Sequence, residues 1–449
     1  YNFDISRLDP EAIAFADNSS IQQIVDAAVK LARDDLTNIT QTLGFVGPDG
    51  INRELTDAYI NATDFAFNNI TTGAMDYNTA IRKACSQLSS KGIQTINYAS
   101  GVHTSLNAAV RRDMMGGLGL MAEQISQKSH DDLGADGWEI SAHANSAPDH
   151  EPIQGKQYGD EAYTRLNNSL RRRIGTLNCG HNAFPVILGV NAPQYTQSEL
   201  NRFRDDNAKG VYYKGRNFET VYEATQYQRQ IERTIRAQKR RVMVADSQTD
   251  IEKRQQSQIR LTALQSEYKL FCKSTGLRTE DERLQVSGFG RGQSVRAKAE
   301  TDRKLKELLE KAKNGDKIIL SEDMENIIAM KPFSEIQPFR EKLSDRAARK
   351  WYLAQDAAIT SKIDTNQSVE AQARQAFELR NQNRIWARDL MRDQKKRKML
   401  DDLEPNKTFE ELLANKMQRK GLTREQAIED ILGTTTKTRK SVNKSLGLG

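Results

Sequence analysis

Apolar residues that recur near a 3.6-residue period constrain this chain most, because such a pattern buries one stripe of an α-helix. In residues 11–43 the stripe includes Ile21 and Val25, and a second stripe runs from Leu55 to Ile70. Only 9 prolines interrupt the 449 residues, which also favours helices. The pattern predicts a mostly α-helical fold.

The composition suits long helices better than one thick core. Hydrophobic residues make up 37% of the chain and charged residues 28%, which fits helices with one buried stripe and one solvated face. At roughly 150 residues per domain, the length allows two to four units. We therefore expect several helical segments rather than a single compact domain.

Helix ends divide the first third. Asp76 is a candidate N-cap for a helix over Tyr77–Lys91, and Gly92 is its stop signal. Ser105–Gln127 also has a helical pattern, although Gly116 and Gly117 weaken it. These signals predict an α-helical module in residues 1–133.

The pattern changes near Gly134. Trp138–Ala142 reads as a strand, and Phe184–Gly189 is a second apolar run among Pro- and Gly-punctuated loops. We therefore expect long helices around a small, loop-rich α+β domain. The predicted segments are the module 1–133, the α+β domain 134–215, long basic helices in 216–286, and a helical, basic C-terminal region in 287–449.

Further helices are expected in the second half. Their predicted ranges are Thr220–Gln248, 294–313, 340–362, 368–400 and 423–432, with another helix start at Asn406–Glu410. The glycine-rich stretch Ser287–Gly292 lacks the GKS or GKT sequence of a phosphate loop, so we interpret it as a linker or turn.

Charge is distributed unevenly along the chain. Residues 1–134 contain 16 acidic and 10 basic residues and therefore have a net charge of −6. Because the whole chain has a net charge of +7, the residues after 134 have a net charge of +13. A basic C-terminal two-thirds indicates a polyanionic or acidic partner, with nucleic acid as the first candidate.

The cysteines and the lack of long apolar runs indicate the environment in which the chain folds. Cys85, Cys179 and Cys272 are odd in number and far apart, so we expect no disulfide framework and a reducing environment. No run of about 20 apolar residues or secretory signal is seen, so no membrane partner is expected. The chain begins at Tyr1 rather than Met, and we expect its original start to lie upstream.

Four Cys and His residues form the strongest chemical cluster. His143, His150, Cys179 and His181 fall within 39 residues. These side chains suit tetrahedral Zn²⁺, and four of them can close a structural site, although the spacing is not that of a standard finger. Hydrogen bonding within a loop-rich domain is the alternative. Hence we expect either no cofactor or one structural zinc ion.

The same cluster allows a catalytic interpretation. His143, Asp149, His150 and Cys179 can in principle form a nuclease or thiol-nucleophile site. No glycine elbow, paired carboxylate motif or cysteine-activating context supports this interpretation. We therefore expect no enzymatic activity and no small-molecule substrate.

Two arginine series each line one face of a helix at steps of three or four residues. They are candidates for binding nucleic acid or an acidic protein. Alternatively, they are solvated faces with local ion pairs such as Glu232 with Arg236. The series are Arg229, Arg233, Arg236 and Arg240, then Arg380, Arg384, Arg388 and Arg392.

Several motifs now make a family resemblance visible. Asp76–Arg82 (DYNTAIR) starts one helix, and Ser141–His143, Pro148–His150 and Gln154–Lys156 form a SAH…P.H…QGK signature. Asn178–His181 (NCGH) follows. Together with the Gly92–Gly101, Val110–Arg112 and Tyr222–Arg233 segments, they resemble the minor capsid proteins of siphophages and prophages, a group related to Mu F-like head morphogenesis proteins. The resemblance covers roughly residues 76–235.

Two positions depart from the family pattern. Ala147 and Gly180 stand where the family usually has arginine. These departures affect any role in which those charges contact phosphate or carboxylate, while the scaffold residues of the domain remain.

The resemblance implies a virion protein made in the host cytoplasm. Its members are present in a few copies near the portal vertex, inside the head, and take part in head assembly and DNA packaging or delivery. The implied partners are the portal protein, the major capsid protein and packaged DNA. The alternative is a phage-delivered effector with hydrolase or transferase activity in the His/Cys domain or the C-terminal region.

Overall fold

The computed structural model describes most of the chain. The helix predicted over 11–43 lies almost entirely outside the described residues, as do Arg392, the lysine-rich run after it, and the basic tail from Gly433. The described residues are 22–23, 25, 45–46, 52–53, 55–89, 95–97, 103–176, 179–247, 251–359, 361–391 and 408–432.

The chain divides into two compact units, Tyr1–Phe203 and Arg204–Gly449. The fold is mostly α-helical with a small α+β region, as the sequence predicts. The finer division into four segments stays a prediction.

The first unit begins with helices and two short antiparallel hairpins. α1 and α2 confirm two predicted helices, and Asp76 Oδ1 accepts a hydrogen bond from the Thr79 backbone N–H at 3.0 Å, as an N-cap should. The elements are β1 (Phe45–Val46), β2 (Asn52–Arg53), α1 (Leu55–Thr71), α2 (Tyr77–Ser89), β3 (Thr95–Asn97), β4 (His103–Ser105) and α3 (Leu106–Leu133).

These three helices share one core. Tyr59, Phe67, Ile81 and Met114 are all buried in it. A Cβ on Gly117 of α3 would lie 2.6 Å from the Phe67 ring. The glycine that weakens the helical pattern therefore lets α3 approach α1 closely.

A three-stranded antiparallel sheet follows in the order β6-β5-β7. All four residues of the central strand β5 are buried, which explains why its sequence is recognisable as a strand. The elements of this part are β5 (Gly137–Ile140), β6 (Gln157–Gly159), α4 (Asp160–Ser169), β7 (Ala183–Val186) and α5 (Gln197–Ala208).

Trp138 on β5 packs against two helices and thereby links them to the sheet. Its indole stacks on His130 of α3, with ring centroids 4.8 Å apart, and on Tyr163 of α4 at 5.4 Å. α3 ends at Gly134, whose φ of 60° suits the left-handed cap that glycine adopts readily. The predicted change of character at Gly134 is thus the passage from helix to sheet.

The second unit is a hairpin followed by helices. Two short 3₁₀ helices, Asp281–Leu284 and Gln337–Phe339, lie between them. The labelled elements are β8 (Val211–Tyr213), β9 (Arg216–Phe218), α6 (Val221–Ser247), α7 (Ile251–Thr275), α8 (Arg291–Lys313), α9 (Glu322–Ala329), α10 (Phe333–Ile336), α11 (Asp345–Ile359), α12 (Val369–Leu390), α13 (Phe409–Lys420) and α14 (Arg424–Leu432).

Three apolar clusters hold this unit. Phe271 lies in the cluster of the hairpin, α6 and α7, Trp351 in that of α9 to α11, and Phe409 in that of α12 to α14. The glycine-rich stretch is a turn over Ser287–Gly290, where Gly288 has a φ of 82°, while Arg291 and Gly292 already belong to α8. The helix expected over 340–362 is shorter, because a turn precedes Asp345.

The three cysteines are free, as expected. None of the described helices combines the length and the hydropathy that crossing a bilayer requires.

Candidate functional site

Two connections meet at one end of the central strand β5: the loop 141–156 between β5 and β6, and the chain that enters β7. After Ile140, Ser141 N–H donates to Asn182 O at 2.8 Å, so the chain entering β7 is held beside the chain leaving β5. On the other side, Gly155 N–H donates to Ile140 O at 2.7 Å, which brings in the chain entering β6. Local pairing therefore gathers segments that are far apart in sequence.

The loop after β5 folds into a helical turn that carries His150. Asn145 has a φ of 64°, and Glu151 and Gln154 donate backbone N–H groups to Ala147 O and His150 O at 2.8 and 3.1 Å. His150 is 1% exposed and points into the domain. Ala147 is also buried in this turn.

Three of the four predicted ligands come together. His150 Nδ1 lies 3.3 Å from Cys179 Sγ and 3.4 Å from His181 Nδ1. His181 Nδ1 lies 3.4 Å from the same sulfur. His181 is 2% exposed, whereas Cys179 is half-buried. The three donor atoms thus form a nearly equilateral triangle.

The Nε2 atoms of His150 and His181, which lie outside the triangle, each make a hydrogen bond. His150 Nε2 donates to Arg172 O at 2.9 Å, and His181 Nε2 donates to Gln154 Oε1 at 3.0 Å. The His143 backbone N–H also donates to that Gln154 atom at 3.1 Å, which identifies it as the amide oxygen. Each Nδ1 therefore carries a lone pair directed into the triangle.

His143 adopts a different position from the other three. Its ring lies on that of His181, with centroids 4.3 Å apart. Its Nδ1 donates to Ala144 O at 2.8 Å, and its buried Nε2 has no hydrogen-bond partner among the described residues. A Cβ on Gly180 would lie 2.9 Å from this Nε2, so the glycine leaves room for the imidazole.

Burial determines the charge state of His181. Burial first, and then the neighbouring His143 and His150, lower the pKa of His181 to about 3. The imidazole is therefore neutral at physiological pH, and its Nδ1 is available as a ligand or a hydrogen-bond acceptor.

The Cys179–His150 pair also has the distance expected of a thiol and its base. However, both imidazoles are almost completely buried, and the second nitrogen of His150 is fixed to the backbone at Arg172 O. Among the described residues, neither imidazole therefore offers more than about 2% of its surface to a substrate. The geometry suits a closed centre better than a turnover site.

Sequence reasoning missed Gln154 and Glu139 as organisers of this domain. Gln154 links His143 and His181, and its place in the QGK motif was the available signal. Glu139 is buried on β5 and accepts hydrogen bonds from Gln157 Nε2 and from Gln194 N–H at 2.9 and 2.8 Å. No local pattern distinguishes such a carboxylate from an exposed one.

The first arginine series lies on α6, as predicted. Arg229 pairs with the buried Glu232 at 2.9 Å, and Arg236, which also lowers the pKa of that carboxyl, donates to the Arg283 carbonyl. Arg240 is half-buried, and burial lowers its pKa. Arg233 is the exposed member.

The second series lies on α12. Arg380 donates to the carbonyls of Ile431 and Leu432 and pairs with Asp356, while Arg384 is 8% exposed. Arg388 is exposed, and Arg392 lies outside the described residues. Arg380 thus serves the fold, and binding of a partner by either series stays a prediction.

A comparison with protein families gives one match. The family model described as Phage minor capsid protein 2 matches residues 4–273, which is more than half of the chain. The matched region includes the whole His/Cys cluster and α6. No curated protein and no solved structure matches the chain.

Proposed function

Because the chain belongs to the phage minor capsid protein 2 family, we propose that it is a structural protein of the phage head near the portal vertex, where it aids head assembly and DNA packaging or delivery. The family match over residues 4–273 carries this proposal. As a phage minor capsid protein, it is a component of the virion.

The portal protein and the major capsid protein are the partners proposed for this role. The family resemblance implies a few copies near the portal vertex, and a protein at that vertex is in reach of both the portal and the surrounding shell. The helical architecture provides long, mostly polar helix faces for these contacts, such as the exposed side of α6.

Packaged DNA is the third proposed partner. The chain after residue 134 carries a net charge of +13, and Arg233 and Arg388 are exposed on α6 and α12. Such charges attract phosphate groups without reading sequence. The interior of a filled head is the place where this attraction has an effect.

Cross-linking of purified virions with a lysine-reactive reagent tests the proposed position. We expect cross-links from this chain to the portal protein and to the inner face of the major capsid protein. Cross-links to tail proteins alone would contradict it. Emptied heads are the matched sample, in which contacts to the portal should persist.

DNA binding by the purified chain tests the third partner. Replacing Arg233 and Arg388 by alanine should weaken binding and lower the slope of log affinity against log salt by about 0.9 per lost phosphate contact. Arg165→Ala is the control, because the Arg165 side chain is 77% exposed and lies outside both series. Equal binding by all variants would remove DNA from the proposed partners.

A further inference from the structure

We propose that His150 Nδ1, His181 Nδ1 and Cys179 Sγ bind one Zn²⁺ ion, that His143 Nε2 supplies the fourth ligand, and that the ion closes the loops at the end of β5. The inference is independent of where the protein lies in the virion. The centre lies inside the first unit, and its ligands come from two segments, the loop 141–156 and the chain that enters β7.

The spacing of the three donor atoms fits a tetrahedral zinc ion. With Zn–N of about 2.0–2.1 Å and Zn–S of about 2.3 Å, tetrahedral angles place two nitrogens about 3.4 Å apart and a nitrogen and the sulfur about 3.5 Å apart. The separations here are 3.4 Å for the two nitrogens and 3.3 and 3.4 Å to the sulfur.

Hydrogen bonds alone cannot satisfy both Nδ1 atoms and the sulfur of this triangle. Both Nδ1 atoms are acceptors, because both Nε2 atoms donate to carbonyl oxygens. The Cys179 thiol has one proton and can donate it to only one of them. The other Nδ1 then has a buried lone pair without a donor, 3.4 Å from the first Nδ1, an arrangement that a shared cation stabilises.

The outer contacts are those of metal-binding histidines. A ligating imidazole usually donates its other N–H to a carbonyl or carboxylate, which fixes the tautomer and the ring orientation. His150 does so to Arg172 O, His181 to Gln154 Oε1, and His143 to Ala144 O. All three rings therefore have their remaining lone pair on the other nitrogen.

His143 is the fourth ligand because of its unused nitrogen. Its Nε2 is buried and without a hydrogen-bond partner among the described residues, and its ring already lies against His181. Gly180 leaves the space in which this ring can move, because a side chain there would contact Nε2. His143 lies outside the group of donors that are within 4.8 Å of one another, so its imidazole has to turn toward the triangle to become a ligand.

The donor set selects the metal. Imidazole nitrogens and one thiolate suit zinc in a tetrahedral site, whereas Ca²⁺ and Mg²⁺ require oxygen ligands. Four protein ligands leave no position for a substrate, so the centre is structural. It joins residue 150 to residues 179 and 181 and thereby stabilises loops with little regular structure.

Metal analysis of the purified full-length chain is the primary test. We expect one zinc ion per chain after exhaustive dialysis, and loss of that zinc in Cys179→Ala and His150→Ala. Cys85→Ala is the matched control, because Cys85 is a buried cysteine outside the cluster. A wild-type chain that contains no zinc and binds none when Zn²⁺ is added would overturn the proposal.

Cobalt substitution tests the ligands by a spectroscopic signature, which the wild-type chain provides first and conservative variants then alter. Co²⁺ in the wild-type chain should give the visible bands of tetrahedral geometry and a sulfur-to-metal charge-transfer band. Cys179→Ser should lose the charge-transfer band, and its persistence would exclude Cys179 as a ligand. The affinity of His143→Ala for Zn²⁺ should be at least about tenfold lower than that of the wild type. An unchanged affinity would exclude His143 as a ligand.

Discussion

Gly119 on α3 lies directly against the carbonyl oxygen of Gly175, so closely that a Cβ on Gly119 would be 1.9 Å from that oxygen. The contact fixes α3 to the loop that also contains Arg172, whose carbonyl accepts the hydrogen bond from His150. One glycine of the helix therefore helps to position the His/Cys cluster.

The first prediction follows from this contact. Gly119→Ala should lower the free energy of unfolding by roughly 1–3 kcal/mol, because a backbone oxygen cannot move away from the new methyl group as a side chain would. Thermal or denaturant unfolding measures the change. Gly116→Ala on the same helix is the control: it meets nothing within 4 Å and should stabilise by about 0.5–1 kcal/mol. Equal effects of the two variants would contradict the close approach.

The second prediction concerns Gln154, which contacts the cluster without being a ligand. Its Oε1 accepts from His181 Nε2 and from the His143 backbone, so Gln154→Ala should release both histidines. Zinc affinity, measured by competition with a chelator, should fall roughly 10–100-fold. Gln228→Ala changes a buried amide of the second unit and is the control. Unchanged affinity in Gln154→Ala would show that this contact does not position the ligands.

The third prediction separates folding from partner binding on α12. Arg380→Ala should destabilise the protein by about 2–4 kcal/mol, because it removes the hydrogen bonds to the carbonyls of Ile431 and Leu432 and the ion pair with the buried Asp356. Arg388→Ala, on the exposed part of the same helix, should change stability by less than about 0.5 kcal/mol. A larger loss of stability in Arg388→Ala than in Arg380→Ala would mean that Arg380 is not a structural residue.

The fourth prediction is a pH dependence at Glu232. Burial raises the pKa of this carboxyl above its ordinary value of 4.5, although Arg229 opposes the rise. Protonation therefore stabilises the fold at pH below the unfolded-state pKa, and this contribution is lost as the pH rises through the higher folded-state pKa. The Tm of Glu232→Gln relative to wild type should accordingly increase between pH 4 and pH 7.

Glu307→Gln provides the control with the opposite sign. Hydrogen bonds from Lys311 and Lys304 hold the pKa of Glu307 below its ordinary value. Its charged form is the stabilising one, and that contribution is lost as the pH falls. The relative Tm of this variant should therefore decrease slightly from pH 4 to pH 7. A parallel response of the two variants would contradict the assigned pKa directions.

The helices were predictable because their signals are local. The apolar stripe after Leu55 and the cap at Asp76 place α1 and α2 nearly as they are. The boundary of α11 was wrong by several residues, since the turn before Asp345 has a buried apolar residue, Leu343, that continues the stripe.

The candidate site was predictable in composition and only partly in geometry. Residue type identified His150, Cys179 and His181, which lie together, but the placement of His143 on the His181 ring depends on loop pairing beyond β5. Helical spacing placed Arg380 correctly on one face of α12. The spacing cannot show that this face meets α14, because that contact joins residues about fifty positions apart.

Protease protection in purified virions tests the central claim most directly. Intact particles, treated with protease and then opened, should yield peptides from this chain in low and constant proportion to the portal protein, whereas particles opened before treatment should lose them. Particles that are infectious yet contain no peptide of this chain would contradict its place in the phage head.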